Sequence, residues 1–293
     1  MLAAALALAA CSPPAGGGGG VVSVNPCADA LLVRLVEPRR IAAISHYSQD
    51  PAATSIPLTV ARRFRATAGT AEEVIALRPG LVLASTFTPP ATRDAYKLAG
   101  LRVVFLDSPT TVAASMAQVR QVAAAVGEPG RGEALVGAID HALALPRRRP
   151  GPSVDGAGRM RLPSLIATSA TGPRPSPGWD AGSPKPSALL FLTGDLANGS
   201  GTLLDELLRR AGFRNAAAEY GLTHTGRVPV ERLLAQPPDV VIAPDERGRA
   251  QALRRRLLPG VPQADFPRGL INCGGPAIVP ALARLRAIRA TLP

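Results

Sequence analysis

Short apolar runs alternate with segments of helical periodicity along most of the chain. In its first part, β-branched and apolar runs end at turn signals such as Asn25-Pro26, which is typical of buried strands. The predicted strands there are 21–24, 40–45, 80–84 and 102–106, and the predicted helices are 28–36, 70–77 and 91–99. Such alternation predicts a parallel α/β sheet with helices on both of its faces.

This alternation is interrupted in the middle of the chain. Residues 108–145 favour helix throughout, with 127–130 as the only interruption. They predict one long or kinked interlobe helix, with the kink near Pro129. Residues 146–187 hold nine of the 30 prolines, and they predict a loop or disordered insertion. Trp179 lies in that insertion and is interpreted as an incidental surface aromatic, the alternative being a residue that gates a ligand.

The α/β alternation then resumes. The predicted strands are 188–192, 213–216 and 240–243, and the predicted helices are 202–211, 230–235, 251–258 and 275–291. We therefore expect two α/β lobes with parallel sheets, residues 21–107 and 188–293, joined by the single long interdomain helix of residues 108–145.

The N-terminus predicts export. Residues 1–10 are almost entirely Ala and Leu, a run too short for the ~20 residues that a membrane-spanning helix needs. The small residues before Cys11 resemble the lipobox of bacterial lipoproteins, in which that cysteine is acylated, and residues 11–20 would form a Gly-rich tether. The expected basic start is missing, which a start codon placed too late would explain. We expect a periplasmic protein held at a bacterial membrane by its lipid alone; the alternative is a chance Ala-rich start on a cytosolic protein.

The charge balance narrows the function classes. The chain carries 33 Lys+Arg against 21 Asp+Glu, a formal charge of +12. Nearly all of the positive charge is arginine spread along the chain, and aromatic residues make up only 3%. Since no recognition helix, zinc-finger spacing or basic stripe interleaved with aromatics is present, nucleic acid is not an expected partner.

Two segments repeat one pattern, a Glu-headed helix followed by a proline turn and a buried strand. They read EEVIALRPGLVLA at 72–84 and VERLLAQPPDVVI at 230–242. The pattern resembles a phrase, E-x-(I/L)-(L/V)-A-L-x-P-D-L-V, of the periplasmic substrate-binding proteins of ABC importers for cobalamin, siderophores and haem. Residues 21–26, 44–51 and 199–215 are similar to the same family, so that the resemblance leaves out only the insertion.

The resemblance implies the class III periplasmic-binding fold, with a ligand cleft between the lobes and modest closure. It implies a monomer that binds a nutrient without turnover and delivers it to permease and ATPase subunits. By their place in the two phrases, Glu72 and Glu231 are expected to dock with arginines of the permease. Alternatively, both are first-turn residues that the helix dipole favours.

The implied cargo is a metal chelate, either cobalamin or a ferric siderophore, with haem or another metal complex as the alternative, and no intrinsic cofactor is expected. Placement in the loops after predicted strands selects as ligand-binding residues Asn25, Cys27, His46, Tyr47, Thr86, Phe87, Thr88, Gly194, Asp195, His224 and Cys273. Only two of these are aromatic, fewer than cobalamin binders of this type usually carry, so the choice of cargo stays open.

Several of these residues have alternative interpretations. Thiol, imidazole and phenol groups among them can ligate the metal of the cargo, but their spacing indicates no resident metal site, and such residues more often form hydrogen bonds or fill small spaces. Cys27 and Cys273 can also pair in an oxidising compartment. An exported enzyme would use Asp195 and His224 as an acid/base pair, yet the common catalytic motifs are missing and no catalytic residue is expected. A lipid-anchored adhesion protein would leave the paired phrases unexplained.

Overall fold

The computed structural model describes residues 19–144, 185–244 and 249–292. The predicted signal segment, Cys11 and Trp179 lie outside the described residues, as does most of the predicted insertion. The chain divides into two compact units. Of the described residues, the first unit contains 19–108 and 118–133, and the second contains 109–117, 134–144, 185–244 and 249–292.

The first unit is built on a parallel five-stranded sheet. Its strands and helices, in chain order, are β1 Val21–Ser23, α1 Pro26–Leu35, β2 Ile41–Ser45, α2 Leu58–Ala61, β3 Ala66–Thr67, α3 Ala71–Ala76, β4 Leu81–Ser85, α4 Pro90–Leu98 and β5 Val103–Leu106. The strand order is β3-β2-β1-β4-β5, and every neighbouring pair runs parallel. Val22, Val82 and Leu83 are fully buried, as expected where helices cover both faces of a sheet. The predicted parallel α/β unit is confirmed.

The segment predicted as one long helix contains two helices, so that prediction was wrong. They are α5 Val112–Ala125 and α6 Pro129–Ala144. At the end of α5 the Gly127 amide donates to Ala124 O and the Glu128 amide to Ala123 O, with Gly127 at φ +77°, which is a Schellman motif. Pro129 then starts α6 at a position where its missing N–H costs nothing.

Helices α5 and α6 pack directly against each other beside this turn. A Cβ atom built on Gly132 of α6 would lie 2.4 Å from the Cβ of Ala123 in α5. An ion pair between Arg120 and Glu133, at 2.8 Å, joins the same two turns. Contacts this far apart in sequence require the chain to double back, which a kinked continuous helix could not do.

The second unit is built on a mixed sheet. Its strands and helices are β6 Ser187–Thr193, β7 Leu196–Asn198, α7 Leu203–Ala211, β8 Arg214–Asn215, α8 Ala216–Glu219, β9 Thr225–Arg227, α9 Val230–Ala235, β10 Val240–Ala243, α10 Arg249–Leu257, β11 Gln263–Asp265 and α11 Ile278–Arg289. The order is β11-β10-β6-β7-β9, with β8 also beside β6. Strands β8, β10 and β11 belong to the parallel part, whereas β7 runs antiparallel to both β6 and β9.

Antiparallel β7 corrects the prediction of an all-parallel second sheet. The β6–β7 connection is the two-residue loop Gly194-Asp195, a length that joins antiparallel strands only. The predicted strand 213–216 is shorter than expected, because Ala216 already starts α8. Side chains of β6 alternate between two cores, Ala188 and Leu190 facing one and Leu189 and Phe191 the other.

None of the helices among the described residues is both long enough and apolar enough to span a bilayer.

Substitutions of two glycines in α6 should have opposite effects on stability. Gly132→Ala adds a methyl group where Ala123 already lies, so we expect a loss of about 1–3 kcal/mol. Gly137→Ala, in the same helix with no atom within 4 Å of the added Cβ, should gain about 0.5–1 kcal/mol. Urea denaturation of both variants would measure this difference. Equal free energies of unfolding would contradict the close packing of α5 and α6.

Candidate functional site

The loops that the sequence selected in the first unit do meet at one edge of its sheet. Because all five strands are parallel, their carboxyl ends share that edge. The residues that follow β1, β2 and β4 there are Asn25, Cys27, His46, Tyr47, Thr86, Phe87 and Thr88. Strands β1 and β4 are neighbours at the point where the strand order reverses, which is where open α/β sheets commonly bind ligands.

A 3₁₀ turn, His46–Gln49, presents the two side chains at the end of β2. The side chain of Ser45 caps it by accepting from the Tyr47 amide at 3.3 Å. The rings of His46 and Tyr47 lie 4.1 Å apart between centroids, tilted by 35°. Both side chains are exposed, Tyr47 to 51%, which places an imidazole and a phenol side by side on the surface of the unit.

The hydrogen bond of His46 decides which ring nitrogen carries the proton. Its Nδ1 lies 3.2 Å from the carbonyl oxygen of Thr67, which can only accept. The neutral ring therefore has its hydrogen on Nδ1 and its lone pair on Nε2. A histidine held by Nδ1 on a backbone carbonyl is oriented for metal ligation through Nε2.

The loop after β4 adds a second exposed aromatic ring. Phe87 is 76% exposed, and Ser85 accepts a hydrogen bond from its amide. The guanidinium of Arg93, on α4, donates to the carbonyl oxygens of Thr86 and Thr88 and also lies 4.7 Å from the ring centroid of Phe105. Arg93 thus fixes this loop. Sequence reasoning missed it, since an arginine in the first turns of a helix gives no signal of such a role.

In the second unit, only part of the predicted set shares one edge. Gly194 and Asp195 form the turn at the carboxyl end of β6, as predicted. His224 precedes β9, whose Thr225 pairs with Asn198 at the end of β7, so His224 lies at the end of the β7–β9 pair away from Gly194 and Asp195. Arg227, at the other end of β9, instead meets Asp195, with 3.1 Å between Nη1 and Oδ2. The antiparallel hairpin causes this difference, because it reverses the direction of β7.

Both predicted cysteines are engaged. Cys27 begins α1, where its amide donates to the Asn25 side chain that caps the helix, and Cys273 is buried. Each of the two is disulfide-bonded. In this state neither sulfur is a thiolate, so neither cysteine offers a thiolate ligand to the metal of a cargo.

The two Glu-headed phrases adopt the same local structure. Glu72 and Glu231 are each the second residue of a six-residue helix, α3 and α9, and each helix leads into a buried strand, β4 and β10. Both carboxylates are exposed. The neighbouring Glu73, in contrast, accepts from the Thr67 hydroxyl and the Ala68 amide, and these bonds lower its pKa.

One ionisable side chain is fully buried behind the His46–Gln49 turn. Asp29, in the first turn of α1, accepts from the Ser45 amide at 3.0 Å and from the Ser48 hydroxyl at 2.7 Å, both through Oδ2. Burial raises the pKa of Asp29 to about 7, although the polar groups of Ser23, Ser48 and Ser45 beside it oppose that rise. Among the described residues, no cluster of three or more His, Cys, Asp or Glu side chains is arranged to hold a metal ion.

The raised pKa of Asp29 predicts a pH-dependent stability difference between the protein and Asp29→Asn. Between pH 4 and 7 the folded state holds a proton on Asp29 that the unfolded chain has already lost. The free energy of unfolding relative to Asp29→Asn should therefore be highest below pH 4 and fall as the pH rises to 7, by on the order of 4 kcal/mol in all. Urea denaturation of both proteins from pH 4 to 8 would measure it; a difference independent of pH would contradict the buried environment of Asp29.

Comparison with known proteins agrees with this architecture. The family model "Periplasmic binding protein" matches residues 21–148. No curated protein matches the sequence. Among solved structures, the periplasmic haem-binding protein BhuT, in complex with two haems, is similar at 23% identity and a TM-score of 0.68, covering 92% of this chain and 97% of that one.

Two further structures, both from Vibrio cholerae, have the same fold. The haem-binding protein HutB is 16% identical with a TM-score of 0.67, covering 92% of this chain and 97% of its own. The vitamin B12-binding protein BtuF is 14% identical with a TM-score of 0.62, covering 94% and 97%. The family resemblance is confirmed over residues 21–148, which match the periplasmic binding protein family and include the first of the two phrases, and the chain has the two-unit α/β fold of periplasmic binding proteins.

Proposed function

We propose that this protein is the substrate-binding component of an ABC importer and that its cargo is a metal chelate, with haem as the first candidate. The observation that carries the proposal is the His46–Tyr47 pair, in which Nε2 has the lone pair beside an exposed phenol at the carboxyl edge of the first sheet. Imidazole and phenolate are both axial ligands of haem iron. Relatives with this fold that bind haem and vitamin B12 support the cargo class.

The apolar surface at the same edge suits a flat ring system. Tyr47 and Phe87 are among the few large hydrophobic side chains that are exposed in the described residues. Exposed aromatic rings of this kind commonly mark a binding surface, and they gain free energy when a second apolar face covers them. A porphyrin offers such a face together with an iron atom at its centre.

The His46–Tyr47 pair also distinguishes the other candidate cargoes, because it can bind only a metal that has a coordination position open. A hexadentate siderophore already fills the coordination sphere of its ferric ion, so a histidine or tyrosine has no position to occupy there. Cobalamin keeps an exchangeable axial position on cobalt, which makes it the second candidate. The two exposed aromatic rings at this edge provide less aromatic cover than the larger corrinoid ring is expected to need.

An enzyme receives no support from the geometry of the second unit. Asp195 and His224 were the candidate acid/base pair, yet they lie at opposite ends of β9 and its partner strand. Proton transfer between them would need hydrogen-bonding distance, and Asp195 instead contacts Arg227. We therefore propose binding without turnover, by a monomer that is exported and anchored through lipid on Cys11.

Docking to the permease is proposed to use Glu72 and Glu231. Both are exposed on short helices of the same local structure, one in each unit. Carboxylates opposite arginines of a permease would orient the complex more than they would strengthen it. Neighbouring Glu73 is excluded from this role because its carboxylate bonds to Thr67 and Ala68.

Haem titration of the purified protein tests the cargo. We expect saturation at one equivalent, followed by the absorption spectrum of the haem and by calorimetry. His46→Ala should weaken binding at least about tenfold, and Tyr47→Phe should change the spectrum while keeping the ring, because each removes one ligand. His141→Ala is the matched control, since it removes the same side chain from an exposed position on α6 that has no proposed role in binding.

Parallel titrations with cobalamin and ferric siderophores separate the other cargoes. Saturation by cobalamin alone would replace haem as the cargo and keep the transport function. If none of these chelates binds, the proposed cargo class is wrong.

Substitution of the docking carboxylates should reduce transport without affecting the binding of the chelate. In a bacterium that depends on this protein for uptake, Glu72→Arg or Glu231→Arg should reduce chelate uptake at least about tenfold, because like charges would then face the permease arginines. The affinity of each purified variant for the chelate should equal that of the unmodified protein. Asp94→Arg, an exposed carboxylate on α4, is the control for charge reversal itself. Normal uptake by both Glu variants would contradict the docking role.

A further inference from the structure

The buried carboxyl group of Asp29 forms hydrogen bonds with the residues on either side of the two candidate ligands, His46 and Tyr47. Oδ2 of Asp29 accepts from the backbone amide of Ser45, immediately before His46, and from the hydroxyl of Ser48, immediately after Tyr47. The two distances are 3.0 Å and 2.7 Å, and Asp29, Ser45 and Ser48 are all buried. One oxygen atom therefore holds both ends of the segment that presents the imidazole and the phenol.

Other hydrogen bonds also hold the His46–Gln49 turn, but the side chains of His46 and Tyr47 remain exposed. Gln49 donates through Nε2 to the carbonyl oxygens of Ala61 and Phe64 at 3.2 and 2.9 Å, which anchors the end of the turn. His46 bonds through Nδ1 to the Thr67 carbonyl. Since the His46 and Tyr47 rings are exposed, their place depends on the backbone of the turn, and hence on the groups behind it.

Burying this carboxyl group is costly. Oδ1 of Asp29 is buried and has no hydrogen-bond partner within the described residues. A buried polar atom without a partner lowers stability, and the two hydrogen bonds that Oδ2 accepts offset this cost at least in part. The contribution that the contacts show is the fixed geometry of the segment from Ser45 to Ser48.

We propose that Asp29 is a positioning residue of the chelate-binding site: by holding Ser45 and Ser48 on one oxygen atom, it sets where His46 and Tyr47 meet the metal. This inference rests on the proposed function for its consequence in binding. Its structural part, that Asp29 orders the turn, stands without any cargo. Asp29 itself touches neither the chelate nor its metal.

Three substitutions remove the hydrogen bonds of Asp29 to different extents. Asp29→Leu removes the acceptor while keeping four side-chain heavy atoms branched at Cγ. Ser48→Ala removes one donor, and Asp29→Asn keeps an oxygen atom that can accept both hydrogen bonds. Asp205→Leu is the matched control in the second unit. Asp205 is also a buried carboxyl group near the start of a helix, where it accepts from the Gly201 amide and from Asn215.

The first measurement needs no cargo. Amide hydrogen exchange of the purified full chain should become at least about tenfold faster over residues 45–49 in Asp29→Leu, and less so in Ser48→Ala. Asp29→Asn should stay within about threefold of the unmodified protein, and Asp205→Leu should leave this segment unchanged. Unchanged exchange in both Asp29→Leu and Ser48→Ala would overturn the proposal.

The second measurement uses haem. Asp29→Leu should bind haem at least about tenfold more weakly and with an altered spectrum of the axial ligands, whereas Asp205→Leu should match the unmodified protein in both. An unaltered spectrum and affinity in a folded Asp29→Leu would overturn the positioning role. If Asp29→Leu does not fold, the haem affinity and spectrum of Ser48→Ala decide instead. The proposal then predicts weaker binding in Ser48→Ala than in Asp29→Asn, and equal binding in the two variants would overturn it. If the unmodified protein binds no chelate, the proposed function fails, while the exchange data still decide whether Asp29 orders the turn.

Discussion

The parallel pairing of β1 with β2 on one side and β4 on the other is the constraint on which the first unit depends. It brings loops from three distant parts of the sequence to a single edge, at the point where the strand order reverses. It also buries Ser23 and Ser45 at the ends of their strands, so the first turn of α1 has polar neighbours. The candidate ligands and the carboxyl group behind them both follow from this pairing.

The carboxyl edge of the first sheet has a buried polar layer, to which this carboxyl group belongs, and an exposed aromatic layer. Asp29 and three serines form a buried polar cluster, while the rings of Tyr47 and Phe87 are exposed above the strand ends. A core that was apolar throughout would be more stable but would leave the His46–Gln49 turn without its inner hydrogen bonds. Precise placement matters most when a metal must be met by a particular nitrogen or oxygen atom, because a ligand displaced by a fraction of an ångström binds poorly.

The second unit repeats the helix–strand pattern of the first but adds an antiparallel hairpin. Both Glu-headed helices lead into buried strands next to the first strand of their sheet, β4 beside β1 and β10 beside β6. The hairpin reverses β7, which moves Arg227 to the edge that holds Asp195 and carries His224 away from it. The two units therefore share an architecture while presenting different chemistry at their edges.

The sequence by itself determined the α/β alternation, the paired Glu-headed phrases and the residues at the carboxyl edge of the first sheet. It could do so because apolar periodicity sets the type of each element, and in a parallel sheet the residue after every strand lies at the same edge. Only the tertiary structure decided the break between α5 and α6, the position of His224 and the role of Asp29. From sequence alone, an acidic residue such as Asp29 in the first turn of a helix is interpreted as a favourable contact with the helix dipole. The Gly-x-Pro sequence at 127–129 is likewise interpreted as a kink, because the contacts between α5 and α6 are not visible in the sequence. Local pattern fixes the period of an element, whereas its direction, its register and its buried neighbours depend on contacts between residues far apart in the chain.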